Sequence, residues 1–250
     1  MSHNNDIESM NVNTSGGRQF ACTGQVGKNA AVFTWDTTTG EKIRRVALGK
    51  GDRGVAAICI SPDGSHVATA DKHNDHNVKI WNMNSGEVVF GDKGGPDPIM
   101  DLAFTKQPGV IACWSVGVKH IAYWNPEKGK KKKGIFSGNP MTSFAAVTAD
   151  DEGNAYAGAS NSLIYKWTGN SCKGTWDLHG DRCFVGAIVW IDGVLYSGAR
   201  DGRVNMINPG DMSVTKCFDF GCLPRAIDVK DGQLVVGLRT GAIVTCNLET

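Results

Sequence analysis

The sequence predicts an all-β fold, and three observations carry that expectation. A short apolar run that closes on an aromatic and a small polar residue returns about every forty residues. Between these runs the chain breaks into five- or six-residue stretches of β-branched and apolar residues bounded by turn signals. The 250 residues also include 32 glycines and show no long helical periodicity, as a chain of many tight turns requires.

The recurring runs are Ala31-Val32-Phe33-Thr34-Trp35-Asp36, Val78-Lys79-Ile80-Trp81-Asn82, His120-Ile121-Ala122-Tyr123-Trp124-Asn125 and Leu163-Ile164-Tyr165-Lys166-Trp167-Thr168. The register continues through Ile207-Asn208 and Cys246-Asn247, where the tryptophan is replaced. From Trp35 the successive steps are 46, 43, 43, 40 and 39 residues. One Trp-Asp-like dipeptide per unit at this period is the signature of β-propeller blades. The expected architecture is a WD-repeat β-propeller of about six blades, each parsed as strands a, b, c and d from the inside out.

The first unit, about 18–49, shows strand b at Phe20-Ala21-Cys22-Thr23-Gly24, strand c at Trp35 and strand d from Lys42 to Ala47. No strand a is evident, and residues 1–17 read as a polar, disordered tail in which Asp6 to Val12 is able to supply one edge strand. The second unit, 54–93, is the clearest. Strand a runs from Val55 to Ile60, the turn Ser61-Pro62-Asp63-Gly64 leads to strand b at His66 to Ala70, strand c ends at Trp81, and strand d follows Asn84-Ser85-Gly86. Units 97–137, 141–178 and 183–220 read as complete four-stranded sheets. The last, 222–250, shows strands a, b and c only. First and last blades are thus expected to be incomplete, giving a partial or open propeller. Exchange of one strand cannot complete two different blades, so a longer chain or self-association would supply what is missing.

Composition narrows the function classes. The formal net charge is +1, so no global field steers the molecule to nucleic acid, and any electrostatic function must be local. Met1–Gly17 has no apolar core of signal-peptide length, and no stretch approaches the roughly 20 apolar residues needed to cross a bilayer. A soluble, cytoplasmic protein without membrane or nucleic-acid partners is expected. Of eight cysteines, Cys22, Cys59, Cys113, Cys183 and Cys246 lie in apolar runs, where a thiol behaves as a small hydrophobe. Cys217 and Cys222 flank an inter-blade turn, and neither a disulfide nor a metal pair is expected of them.

Some blade positions match the buried hydrogen-bond tetrad of WD-repeat proteins: a loop His, a Ser or Thr on strand b, the strand-c Trp and a turn Asp. The fifth unit keeps His179, Ser197 and Asp201 with Ile207 in the Trp position, and the second keeps Thr69, Asp75 and Trp81 without the loop His. Elsewhere the turn residue is Asn29, Val118, Asn161 or Thr240. Trp35, Trp124 and Trp167 are the remaining blade-core aromatics, while Trp114, Trp176 and Trp190 read as packing residues.

The third unit is the most distinctive, with Ala112-Cys113-Trp114-Ser115-Val116-Gly117-Val118-Lys119-His120-Ile121-Ala122-Tyr123-Trp124-Asn125 followed by Lys131-Lys132-Lys133-Gly134-Ile135-Phe136. This stretch resembles the first of two tandem propellers in the echinoderm microtubule-associated-protein-like family. Cys22-Thr23-Gly24-Gln25, Asp52-Arg53-Gly54-Val55, Asn74-Asp75-His76 and Val235-Val236-Gly237-Leu238-Arg239-Thr240 are similar in the same order. The resemblance covers about residues 18–250. It implies a non-catalytic scaffold on the cytoskeleton whose partners are tubulin, microtubules or other proteins. The family's trimerising coiled coil, basic region, hydrophobic motif and second propeller have no counterpart in these residues.

Lys128, Lys130, Lys131, Lys132 and Lys133 form the one dense charge cluster and are expected in the c–d hairpin of the third blade. There they would attract an acidic surface such as tubulin's carboxyl-terminal tails; the alternative is a solvated loop or a weak import signal. Asp71, His73, Asp75 and His76 crowd one turn, but their spacing matches no familiar zinc site. His120 reads as a hydrogen-bonded structural residue. Gly49-Lys50-Gly51-Asp52-Arg53-Gly54 fits G-x-G-x-x-G, yet a strand follows where a dinucleotide site needs a helix. With no nucleophile elbow or interpretable carboxylate pair, no catalytic residue, cofactor or metal is expected. The competing function is a generic WD-repeat adaptor that takes peptide motifs on the d–a and b–c loop face, where Arg53, Arg182, Arg200 and Arg225 would contribute.

Overall fold

The computed structural model describes residues 3–15, 18–27, 30–49 and 51–249. Asn29 and Lys50, placed above in turns, lie outside the described residues. The chain divides into two compact units, Met1–Gly134 and Ile135–Thr250. Among the described residues all 23 regular elements are strands, and the pairings within the sheets are antiparallel, as the repeat predicts.

The first unit holds three four-stranded blades. They are β1 (Ile7–Ser15), β2 (Arg18–Gln25), β3 (Ala31–Asp36) and β4 (Lys42–Ala47); then β5 (Val55–Ile60), β6 (His66–Asp71), β7 (Val78–Asn82) and β8 (Val88–Asp92); then β9 (Ile99–Phe104), β10 (Cys113–Gly117), β11 (His120–Asn125) and β12 (Lys130–Lys133). The inner strands β1, β5 and β9 pack in succession. Apolar side chains fill the seams between neighbouring blades: Cys22, Val32, Val55 and Ile58 in the first, and Ile80, Leu102, Phe104 and Trp124 in the second. Gly117 permits a close approach here, since a Cβ on it would lie 2.0 Å from the carbonyl oxygen of Pro98.

The second unit holds β13 (Phe144–Ala149), β14 (Ala155–Ala159), β15 (Leu163–Thr168) and β16 (Ser171–Asp177), then β17 (Val185–Ile191), β18 (Val194–Ala199), β19 (Arg203–Asn208) and β20 (Ser213–Asp219). Its last blade has three strands, β21 (Pro224–Lys230), β22 (Gln233–Leu238) and β23 (Ile243–Asn247). The three-stranded last blade agrees with the sequence.

The first blade corrects it, because β1 supplies the strand a that hydrophobic patterning does not reveal. Within the segment read as a disordered tail, Ile7–Ser15 is strand, and it takes in all but Asp6 of the part considered able to form an edge strand. The physical reason lies in how β1 meets the second blade. Ser9 Oγ donates to the Val55 carbonyl (3.1 Å), Asn13 Nδ2 donates to the Ser61 carbonyl (2.6 Å), and Asn11 Oδ1 accepts the Ile60 N–H (3.2 Å). Polar side chains face the neighbour while Met10 and Val12 are exposed, the reverse of the usual pattern.

One irregularity recurs. The c–d ladder shifts register at the tryptophan position or its equivalent in the first, second, fourth and fifth blades, between Thr34/Trp35, Ile80/Trp81, Lys166/Trp167 and Met206/Ile207. The β11–β12 ladder of the third blade pairs Asn125 with Lys130 through Ala122 with Lys133 without a shift.

Candidate partner-binding site

Buried hydrogen bonds tie strand c to strand b in several blades, one strand in from the outer strand. In the first three blades the strand-c indole donates to a strand-b hydroxyl: Trp35 to Thr23 (2.8 Å), Trp81 to Thr69 (2.9 Å) and Trp124 to Ser115 (2.8 Å). Each hydroxyl stands two residues beyond the strand-b residue that pairs with the tryptophan. In the first blade a residue not foreseen completes the centre. His3 places Nε2 2.6 Å from Thr23 Oγ1 and Nδ1 3.0 Å from Gln25 Oε1. In the third, His120 Nε2 lies 2.7 Å from the Ser115 hydroxyl, the structural role expected of it. Burial first, and then the nearby Lys131 and Lys133, push the imidazole down to about 4, so it is neutral at pH 7.

The second blade needs a correction. Thr69 and Trp81 meet as expected, but Asp75 is not part of their centre: its carboxylate pairs with Lys93 Nζ at 3.0 Å. The turn is held instead by buried Asp71, which accepts the His73 and Asn77 backbone N–H groups (3.0 and 2.9 Å) and the Asn77 side-chain amide (3.0 Å). The loop between β4 and β5 contributes Asp52, also buried, with Lys79 Nζ 3.8 Å away. Burial and the Asp71 charge raise the Asp52 carboxyl, and Lys79 opposes them. Asp71 and Asp75 are taken up in these contacts, the buried His76 Nδ1 has no hydrogen-bond partner, and no cluster suited to a metal ion occurs among the described residues.

In the fifth blade His179, Ser197 and Asp201 come together as expected: Nε2 is 2.8 Å from Ser197 Oγ and Nδ1 3.0 Å from Asp201 Oδ2. The connectivity resembles a hydrolytic triad, but Ser197 is fully buried in β18 and cannot meet a substrate. In the fourth blade the equivalent strand-b position is Ala157, and the buried Trp167 Nε1 has no hydrogen-bond partner. Ala157→Ser should therefore raise unfolding stability by about 1 kcal/mol, the net value of one buried hydrogen bond. A urea midpoint unchanged or lowered would show that the site does not admit the oxygen.

The lysine cluster is placed differently from the expectation. Lys128 is in the c–d turn, but Lys130–Lys133 are the outermost strand, β12, rather than hairpin. Lys131 points inward. Its Nζ sits 5.2 Å from the Trp124 ring centroid, pairs with Asp92 at 3.1 Å and donates to the Lys93 carbonyl. It is thus committed to the second and third blades and leaves the candidate surface. Lys128, Lys130, Lys132 and Lys133 are exposed. Arg53, Arg182, Arg200 and Arg225 are exposed too. All eight cysteines are free thiols; Cys22, Cys59 and Cys113 are pushed up by burial. Among the described residues no helix is long and apolar enough to cross a membrane.

Repeat, sheet order and tryptophan centres together define a WD-repeat β-propeller. A solved structure of the computationally designed Ika8 protein has the same fold, with a TM-score of 0.74 at 19% identity, covering 99% of this chain and 73% of that one. No family model matches the sequence. The resemblance to echinoderm microtubule-associated proteins is borne out by homologues across most of the chain. A ciliary WD repeat-containing protein, ctxp80, of Euplotoides octocarinatus is 43% identical over 248 residues, 98% of this chain and 34% of the relative. The 77 kDa echinoderm microtubule-associated protein of Lytechinus variegatus is 28% identical over 82% of this chain and 32% of its own length. Echinoderm microtubule-associated protein-like 2 of Mus musculus is 26% identical over 100% of this chain and 41% of its own length. The chain therefore spans between 32% and 41% of the length of these relatives.

Proposed function

We propose that this chain is a non-catalytic cytoskeletal scaffold that binds tubulin or microtubules through the outer face of its third blade. The observation that carries the reading is β12 and the turn before it: Lys128 in the turn and Lys130, Lys132 and Lys133 on the strand are exposed, and the strand is pinned from behind by Lys131, in a chain whose relatives are named for microtubules. Fixed cations on a rigid edge attract an acidic, unstructured tail without needing a shaped pocket. The relative with 43% identity is named as ciliary, which favours ciliary microtubules as the lattice.

Co-sedimentation with polymerised microtubules across a salt series tests this. Pelleting should be strongest at low salt and fall steeply as the Debye length contracts from about 30 Å at 0.01 M to about 10 Å at 0.1 M. It should be lost on microtubules whose acidic tails have been cleaved. No pelleting at low salt, or salt-insensitive pelleting that survives tail cleavage, would reject the reading. The second of these would favour peptide capture on the arginine-bearing loop face.

A further inference from the structure

The lysine strand has a second property, the state of its backbone. β12 is the outermost strand of its sheet. Gly134 N–H donates to the Ile121 carbonyl (2.9 Å), in the same register as the Lys130–Asn125 to Lys133–Ala122 pairs. Hydrogen-bonded pairs alternate in an antiparallel ladder. Lys130 and Lys132 therefore turn their backbone groups toward β11, and Lys131 turns its N–H and C=O outward at the edge. Side chains alternate as well, so Lys130 and Lys132 share the face opposite Lys131.

Two further observations set this edge apart from the outer edges of the other four-stranded blades. The outer strands β4, β8, β16 and β20 each meet their partner through a register shift at the tryptophan position, and β12 does not. Bulges bend and blunt an edge, so a regular edge is the one best shaped to accept another strand. The strand is also held in place, because Lys131 is tied to Asp92, to the Lys93 carbonyl and to the Trp124 face. Lysines on an edge repel a second copy of the same strand, which is how native sheets avoid self-association. The same charges complement an acidic strand. Charge at this edge excludes one kind of strand and admits another.

We infer that β12 is a docking edge on which an acidic, extended polypeptide segment adds as a fifth strand of the third blade, with carboxylates at alternate positions facing Lys130 and Lys132. Residues two apart on the added strand are spaced about 6.6–6.8 Å, the same as Lys130 and Lys132, so the two rows stay in register. The inference rests on the acidic-partner reading above and adds the mode of capture: backbone pairing gives orientation, and lysine–carboxylate pairs give selectivity.

The test measures binding of a fluorescent ten-residue peptide with glutamate at alternate positions to the full chain at low salt. Three comparisons run beside it: the same peptide N-methylated at alternate backbone amides, the Lys130→Glu/Lys132→Glu variant, and amide exchange at Lys131. N-methylation removes donors and blocks strand pairing while keeping every charge, so binding should weaken about tenfold or more. The double variant should lose binding with its thermal unfolding unchanged, and exchange at Lys131 should slow when peptide is bound. Equal affinity for the methylated and unmethylated peptides, or unchanged exchange at Lys131, would overturn strand addition and leave charge attraction standing. Failure of the unmethylated peptide to bind would overturn the inference together with the acidic-partner reading.

Discussion

Trp124→Ala should lower unfolding stability by about 3–5 kcal/mol, the range for deleting a fully buried large aromatic. Trp124 is fully buried in the seam between the second and third blades, with Phe90 edge-on at a centroid distance of 6.4 Å. Its indole N–H is the donor to Ser115, whose hydroxyl also meets His120. Truncation opens a cavity, removes that donor and takes away the ring beneath the Lys131 ammonium. The measurement is urea denaturation against Trp35→Ala, which should cost less because Trp35 is only half-buried. A cost for Trp124→Ala below about 1 kcal/mol would mean that the seam collapses around the gap. The third blade would then not owe its position to this residue.

Reversing the four exposed lysines together, Lys128→Glu, Lys130→Glu, Lys132→Glu and Lys133→Glu, should abolish microtubule pelleting while the protein stays folded. Each reversal changes the charge by two, so the variant lies eight charges below the native net of +1. Attraction to an acidic tail becomes repulsion, and no buried contact with Trp124 or Asp92 is touched. Exposed positions of this kind usually change stability by no more than about 0.5 kcal/mol each. Lys131→Met is the informative counterpart. It should keep most of the binding yet weaken the fold, because its ammonium is spent on Asp92, Lys93 and the Trp124 face. Undiminished pelleting of the reversed variant, with intact unfolding, would remove the third blade from the interface.

How much of this was legible beforehand depended on which face of a strand carried the signal. Strands that bury apolar residues on both faces, such as β10 and β14, were readable because every residue is constrained by packing. β1 was not, since it docks through Ser9, Asn11 and Asn13 onto backbone groups and hides its contacts in polar letters. His3 was missed for the same reason: the strand it precedes had not been recognised. Asp71 and Asp75 both lie near the turn in sequence, and only the folded loop shows that Asp71 turns inward to accept its N–H groups while Asp75 faces Lys93.

The lysines show the same division at the candidate site. Five neighbouring cations were plain in the sequence, but a charge run has no period and so cannot say which members point inward. Pairing of β12 with β11 settles that, placing Lys131 over Trp124 and its neighbours on either side in solvent. The amino-acid sequence by itself determined the repeat, the all-β architecture and the resemblance to microtubule-associated relatives, because spacing and side-chain chemistry are local properties of the chain. Only the tertiary structure decided that the first blade is complete, which acid holds the second blade's turn and which lysines are exposed, because those depend on partners that meet only once the chain has folded.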